Sequence, residues 1–148
     1  MTIDASKNLV KVTAITGYSA TDTGISLTTG DGAKLPVPPF NATWWNNTDY
    51  GDPSDDPNAE IVRVVGVAAD NITILRAQEN TLATAKNIAN KTYRFIAGFT
   101  SLTLSNIANM LADQDDRIAV FENDFASLIM FLAGQNIEIP DDLEKYIE

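Results

Sequence analysis

The chain has 148 residues, ten basic and twenty acidic, for a formal net charge of −10, and 45% of it is hydrophobic. It contains no cysteine and no histidine, which excludes disulfide frameworks, thiol nucleophiles, Cys/His zinc sites and Ser-His or Cys-His pairs. The length allows one ordinary core plus an appendage. Ten of the acids fall in residues 101–148 against two bases, Arg117 and Lys145, which disfavours nucleic acid and anionic membrane surfaces as partners and suits a basic one.

Met1-Thr2-Ile3-Asp4 has no basic stretch followed by an apolar one, and no apolar run approaches the roughly 20 residues that span a bilayer, so cytoplasmic synthesis without a membrane partner is expected. Residues 9–15 are β-rich and end at Gly17. Residues 25–28 run into Gly30-Asp31-Gly32 and return through 33–35, the pattern of a strand followed by a hairpin. Pro36, Pro38 and Pro39 interrupt pairing, and residues 40–45, with Trp44 and Trp45, resume an extended run. Residues 46–58 form a loop dense in Asn, Asp, Gly and Pro. Residues 60–67 and 72–76, with a turn near Asp70-Asn71, predict a hairpin. Residues 81–90 read as a short helix or a long loop, and 93–97 as a closing strand. Six or seven short strands predict a small barrel or sandwich over residues 1–99. The sequons at Asn41, Asn46, Asn71 and Asn90 matter only in a secretory pathway and read as Asn/Thr-rich β composition.

From residue 104 the period changes. Apolar residues alternate at steps of three and four, placing Leu104, Leu111, Ile118, Phe125 and Leu132 at heptad position a and Ile107, Gln114, Phe121 and Leu128 at d. A seam held in register over about four heptads predicts a coiled coil, because a lone helix packing on a globular body needs a wider stripe of period 3.6. Arg117 at g and Glu122 at the following e have the spacing that pairs neighbouring helices in a parallel coiled coil. Gln114, the one polar seam residue, either sets register and strand number or occupies a hydrated layer. Ser101 or Thr103 is expected to cap the helix and Gly134 to end it with a left-handed backbone. Residues 100–134 are thus an oligomerisation helix, and Pro140 followed by acids predicts a short helix in the tail 135–148.

At residues 60–84 the run Glu60-Ile61-Val62-Arg63-Val64, then Ile72-Thr73-Ile74-Leu75-Arg76-Ala77-Gln78-Glu79-Asn80-Thr81, then Ala83, resembles a hairpin of tailed-bacteriophage virion structural proteins of the tail-fibre, baseplate and head-fibre class, of the form E-I-V-x-V…T-I-x-R-x-Q-E-G-T-x-A. The resemblance covers about a quarter of the chain. Asn80 stands where glycine is usual, and asparagine is the residue that next best tolerates a left-handed turn. The resemblance implies a virion protein assembled in the host cytoplasm, with other virion proteins as partners and a host receptor or glycan as a further one. It also favours three strands, since trimeric fibres joining a β-domain to a coiled coil are common in such particles.

Chemistry-bearing alternatives are few. Asp49, Asp52, Asp55 and Asp56 could gather around calcium, which takes six to eight oxygens, though the spacing is not that of an EF-hand and a solvated loop accounts for it. Glu60 and Glu79 could be drawn as an acid/base pair, with no second supporting feature. Trp44 and Trp45, adjacent on a strand, point to opposite faces, so one is expected in the core and the other exposed as an interface anchor or carbohydrate platform. Arg76, Gln78 and Glu79 are expected to fix the turn after their strand. The expected function is non-enzymatic and without cofactor or metal: a homotrimeric fibre or attachment subunit of a phage virion. The alternatives are an adaptor anchoring a receptor-binding protein and a carbohydrate-binding module using Trp44 or Trp45.

Overall fold

The computed structural model describes residues 4–15, 17–135, 140 and 143. The β-rich part forms one curled antiparallel sheet of β1 (Val10–Ala14), β2 (Gly24–Ser26), β3 (Phe40–Asn46), β4 (Glu60–Ala68), β5 (Asn71–Gln78) and β6 (Tyr93–Ala97), in the order β1-β6-β3-β4-β5-β2. It is a half-barrel: the two outer strands meet only at the bridge between Ala14 and Leu27, with Ile15 N–H donating to Ser26 O and Thr28 N–H to Thr13 O. A sandwich would need a second, stacked sheet. The helix α1 (Ser101–Gly134) follows. Residues 2–105 and 106–148 form separate compact units.

Period-two alternation builds the core. Val10, Val12 and Ala14, Phe40, Ala42 and Trp44, Val62 and Val64, Ile72 and Ile74, and Tyr93 and Phe95 all face inward and are buried. The same alternation carries two charged residues inside, Glu60 on β4 and Arg76 on β5. Burying a carboxylate is costly unless every lone pair is met, and here the neighbours converge on it. Arg76 donates Nε to Glu60 Oε1 and Nη2 to Oε2, both at 2.7 Å, and the Ala77 N–H donates to Oε1 at 2.9 Å. Ala77 has φ 54°, a left-handed backbone that aims its amide inward at the carboxylate while the β4–β5 register slips between Ile61 and Arg63.

The remaining guanidinium hydrogens reach carbonyls of two loops: Ser19 O and Asp22 O from Nη1, and Thr84 O from Nη2. Lys86, 1% exposed, donates to Asn58 O and Thr84 Oγ1 and lies 3.7 Å from Glu60 Oε2. Both cations sit over the Trp44 ring, at 5.1 and 5.4 Å from its centroid, and that ring stacks on Phe95 at 4.6 Å and meets Tyr18 edge-on. Burial alone would raise the Glu60 pKa, but the hydrogen bonds from Arg76 and Ala77 and the neighbouring positive charges hold it below its ordinary 4.5. Burial pushes the Lys86 ammonium below its ordinary value.

The hairpin expected around Gly30-Asp31-Gly32 does not form. Residues Gly32–Lys34 are a 3₁₀ turn, and β2 pairs with β5 instead. The Asp70 carboxylate takes two amides of that turn, Gly30 N–H and Gly32 N–H, while Asp31 reaches β1 and accepts from Thr13 N–H. Gly32 is required there, since a Cβ would stand 1.8 Å from Ala69 O. Residues 81–90 are a loop, pinned by the Tyr18–Lys86 bridge. The short terminal helix expected after Pro140 lies, but for Pro140 and Leu143, outside the described residues.

Glu60→Gln would leave Arg76 without its buried counter-charge and Lys86 with only that of Asp56, and is expected to cost about 3–5 kcal/mol of unfolding free energy. Lys86→Met, which replaces a buried ammonium with a chain of similar length, should cost less; equal losses in urea unfolding would contradict this ordering. Because the folded Glu60 pKa is depressed, its contribution is complete above the ordinary 4.5 and is lost as pH falls through the lower folded value. Unfolding midpoints should therefore decline below that pH, and decline less steeply in Glu60→Gln.

Candidate functional site

The first turn of α1 is gripped by a polar network from the outer face of the sheet. Asn41 on β3 and Arg63 on β4 are register partners. Arg63 donates from Nη1 and Nη2 to the two carboxylate oxygens of Asp4, all at 2.9 Å, and from Nη1 to Asn41 Oδ1. Asn41 Nδ2 donates to Glu79 Oε1 at 2.7 Å, and Glu79 Oε2 accepts the Leu102 N–H at 3.0 Å. An acidic side chain therefore meets an amide that has no partner within its own helix, at the end where the helix dipole favours negative charge. Partial burial would raise the Glu79 pKa, but hydrogen bonds from Thr100, Leu102 and Asn41 lower it.

This differs from the expected capping by Ser101 or Thr103. The helix begins at Ser101, its first bond runs from Leu104 N–H to Thr100 O, and the carboxylate cap comes from residue 79. Gly134 is the last helical residue, without the left-handed backbone expected of it.

Over 34 residues, at about 1.5 Å each, α1 is a rod roughly 51 Å long. Leu104, Leu111, Ile118, Phe121 and Leu128 are 60, 62, 54, 68 and 50% exposed. Ile107, Phe125 and Leu132 are half-buried and Gln114 is exposed. Arg117 and Glu122, at g and e, are exposed on the flanks, and Phe121 stacks on Phe125 at 6.1 Å. Towards its C-terminal end the apolar surface leaves the seam: Val120 at c, Met130 at f and Phe131 at g are 55–63% exposed, while Ile129 at e is buried. Such a surface needs cover on more than one side.

The other sequence-predicted residues have structural roles. Trp44 and Trp45 are both buried, at 0 and 2% exposure, so the exposed indole that a carbohydrate platform or interface anchor requires is not there. Trp45 does face away from Trp44, but the loop after β3 folds over it and its Nε1 donates to Tyr50 O at 3.1 Å. Asp52 caps the 3₁₀ turn Pro53–Asp55 through Ser54. Asp56 accepts from the amides of Asn46 and Asn58, Asp49 pairs with Lys91, and Asp55 is exposed. Among the described residues, no three such side chains gather as metal ligands would.

Glu60 and Glu79 are not a pair either. The first is bound to Arg76 inside the sheet and the second caps the helix. Arg76 and Gln78 fix the end of β5, Gln78 through its Nε2 to Arg76 O and through its carbonyl, which accepts from the Thr81 N–H and hydroxyl. Asn80 has φ 64°, the left-handed backbone its residue type tolerates. Lys86 and Tyr18, both central to the cluster around Trp44, carry no sequence signal, since each is a lone polar residue in a loop. No protein-family model matches the chain and no curated protein matches it.

Glu79→Ala is expected to cost about 1 kcal/mol, the typical worth of a lost helix cap, and to speed hydrogen exchange at the Leu102 amide. Glu79→Gln, which keeps an acceptor, should recover part of both; an unchanged exchange rate in Glu79→Ala would contradict the cap. Calcium and chelator alike should leave the melting temperature unchanged, and stabilisation by calcium that is lost in Asp52→Asn would overturn the reading of residues 46–58 as a self-satisfied loop.

Proposed function

We propose that this chain is a non-enzymatic structural subunit of a phage virion, a fibre or attachment protein that trimerises in parallel through α1. The observation that carries the reading is the continuous heptad seam from Leu104 to Leu132, whose five largest gaps in cover are the seam side chains at 50–68% exposure. Removing apolar side chains of that size from water is worth roughly 1.5–3 kcal/mol each when burial is complete, and a second copy of the same seam is self-complementary in register. Three strands suit the C-terminal half best, because each helix of a trimer has two neighbours and the apolar surface there extends to Phe131 at g, which flanks the seam.

The virion assignment rests on the likeness of residues 60–84 to phage hairpins, and Glu60, Arg76, Gln78, Glu79 and Thr81 of that pattern each have a specific bond in this chain. Glu60 binds Arg76, Gln78 and Thr81 tie the turn, and Glu79 caps the helix. The β-domain is the docking or display element in this reading, with its partners among other virion proteins.

Ile118→Asp puts three carboxylates into one apolar layer and should convert the assembly to single chains in sedimentation velocity, while the near-ultraviolet circular dichroism from Trp44 and Trp45 persists. An unchanged sedimentation coefficient means that the seam is not the interface. Exchange of one exposed charge, Glu122→Arg, should weaken association by under about 1 kcal/mol per pair, and the added Arg117→Glu should restore much of it; no recovery argues against parallel helices. Gold-labelled antibody to the chain should decorate phage particles, and unlabelled particles would remove the virion assignment while leaving the trimer standing.

A further inference from the structure

Residues 4–8 belong to no strand, and the contacts that hold them are polar. Asp4 takes both terminal nitrogens of Arg63 at 2.9 Å, between side chains 20 and 24% exposed, and Lys7 Nζ donates to Ala33 O at 3.2 Å. Packing adds little, since residues 4–8 and Pro36, Phe40, Ala97 and Phe99 line a groove of about 100 Å³ rather than closing on one another. The turn that joins the segment to β1 is strained as well. Leu9, fully exposed, has φ 57°, a region that a leucine occupies only where other contacts hold it. On the far side of that turn the holding contacts are those of Asp4 and Lys7, so the strain works against their seating.

Arg63 has a second carboxylate close by. Its Nη1 donates to Asn41 Oδ1 at 2.9 Å, and Asn41 Nδ2 donates to Glu79 Oε1 at 2.7 Å. One amide group thus separates the guanidinium from the carboxylate whose Oε2 holds the Leu102 N–H. All of these residues lie in the compact unit 2–105. A bidentate pair between arginine and a carboxylate is stronger than a single hydrogen bond from a backbone amide, so an Arg63 that has lost Asp4 competes with Leu102 for Glu79.

We propose that residues 4–8 are a latch: Asp4 seated on Arg63 keeps that guanidinium off Glu79 and leaves Glu79 free to cap α1. When the latch opens, Arg63 turns to Glu79, Asn41 no longer stands between them, and the Leu102 amide loses its acceptor. The two states exchange one carboxylate for another on the same guanidinium, and an exposed ion pair is worth about 1 kcal/mol or less, so a modest bias moves the balance between them. A molecule that draws residues 4–8 away from the sheet therefore loosens the first turn of the helix.

Hydrogen exchange of the full chain reads the latch at the Leu102 amide, while the Ile74 amide, bonded to Thr23 O, reports global opening. Asp4→Asn should speed Leu102 exchange roughly threefold, within the worth of one exposed ion pair, and leave Ile74 unchanged. In an Arg63→Met background, which has no cation to turn on Glu79, adding Asp4→Asn should have no further effect at Leu102. If Arg63→Met does not fold, Arg63→Gln gives the same comparison. A Leu102 rate that Asp4→Asn leaves unchanged, while Glu79→Ala still raises it, keeps the cap and overturns the latch. Equal acceleration by Asp4→Asn with and without Arg63 overturns it too, because the effect then bypasses the guanidinium, and so does acceleration at Ile74 that matches the rise at Leu102.

Discussion

The β-domain is organised around one buried ion pair, Glu60 with Arg76. A carboxylate at 0% exposure is tolerable only with its oxygens fully engaged, and meeting that demand shapes everything near it. The β5 backbone turns left-handed at Ala77 to supply an amide, and the guanidinium in turn fastens residues 19, 22 and 84 to the sheet. Lys86 closes the cluster over Trp44 from the same loop. The loops around residues 19–22 and 84 are thus held by carbonyl oxygens on a single side chain, which explains how they keep fixed positions with little apolar content.

The same demand links the sheet to the helix. Once Ala77 leaves the regular strand, Gln78, Glu79 and Asn80 follow an irregular path, two of them left-handed, and that path brings the Glu79 carboxylate to the Leu102 amide. The polar pattern from Glu60 to Thr81 therefore works as one chain of bonds, from the interior of the sheet to the first turn of α1. Arg63 and Asn41 extend it to Asp4.

Much of this was legible before any coordinates. Runs of β-forming residues between turn signals located β1, β3, β4, β5 and β6, and the change to a three-four period located α1 to within a residue or so. What failed did so for physical reasons. Gly30-Asp31-Gly32 has the composition of a hairpin turn, but the Asp70 carboxylate, distant in sequence, takes the Gly30 and Gly32 amides. Trp45 does point to the opposite face from Trp44, yet its own following loop covers it. Ser101 and Thr103 are the capping residues adjacent in sequence, yet the cap of α1 comes from Glu79, 23 residues from Leu102. Lys86 gave no signal, since only the fold brings a loop lysine beneath a tryptophan.

Most of the apolar surface that remains uncovered lies on α1 and around its start. A helix with five seam side chains at least half exposed is stable as an isolated object only with difficulty, because most helical stability in proteins comes from packing of the apolar face. Assembly through the seam, as proposed, would remove that exposure. Native mass spectrometry of the unmodified chain at micromolar concentration tests it most directly: three chains of 16.0 kDa give a species of about 48 kDa, with no monomer of comparable abundance, whereas a single species at 16.0 kDa would contradict the account.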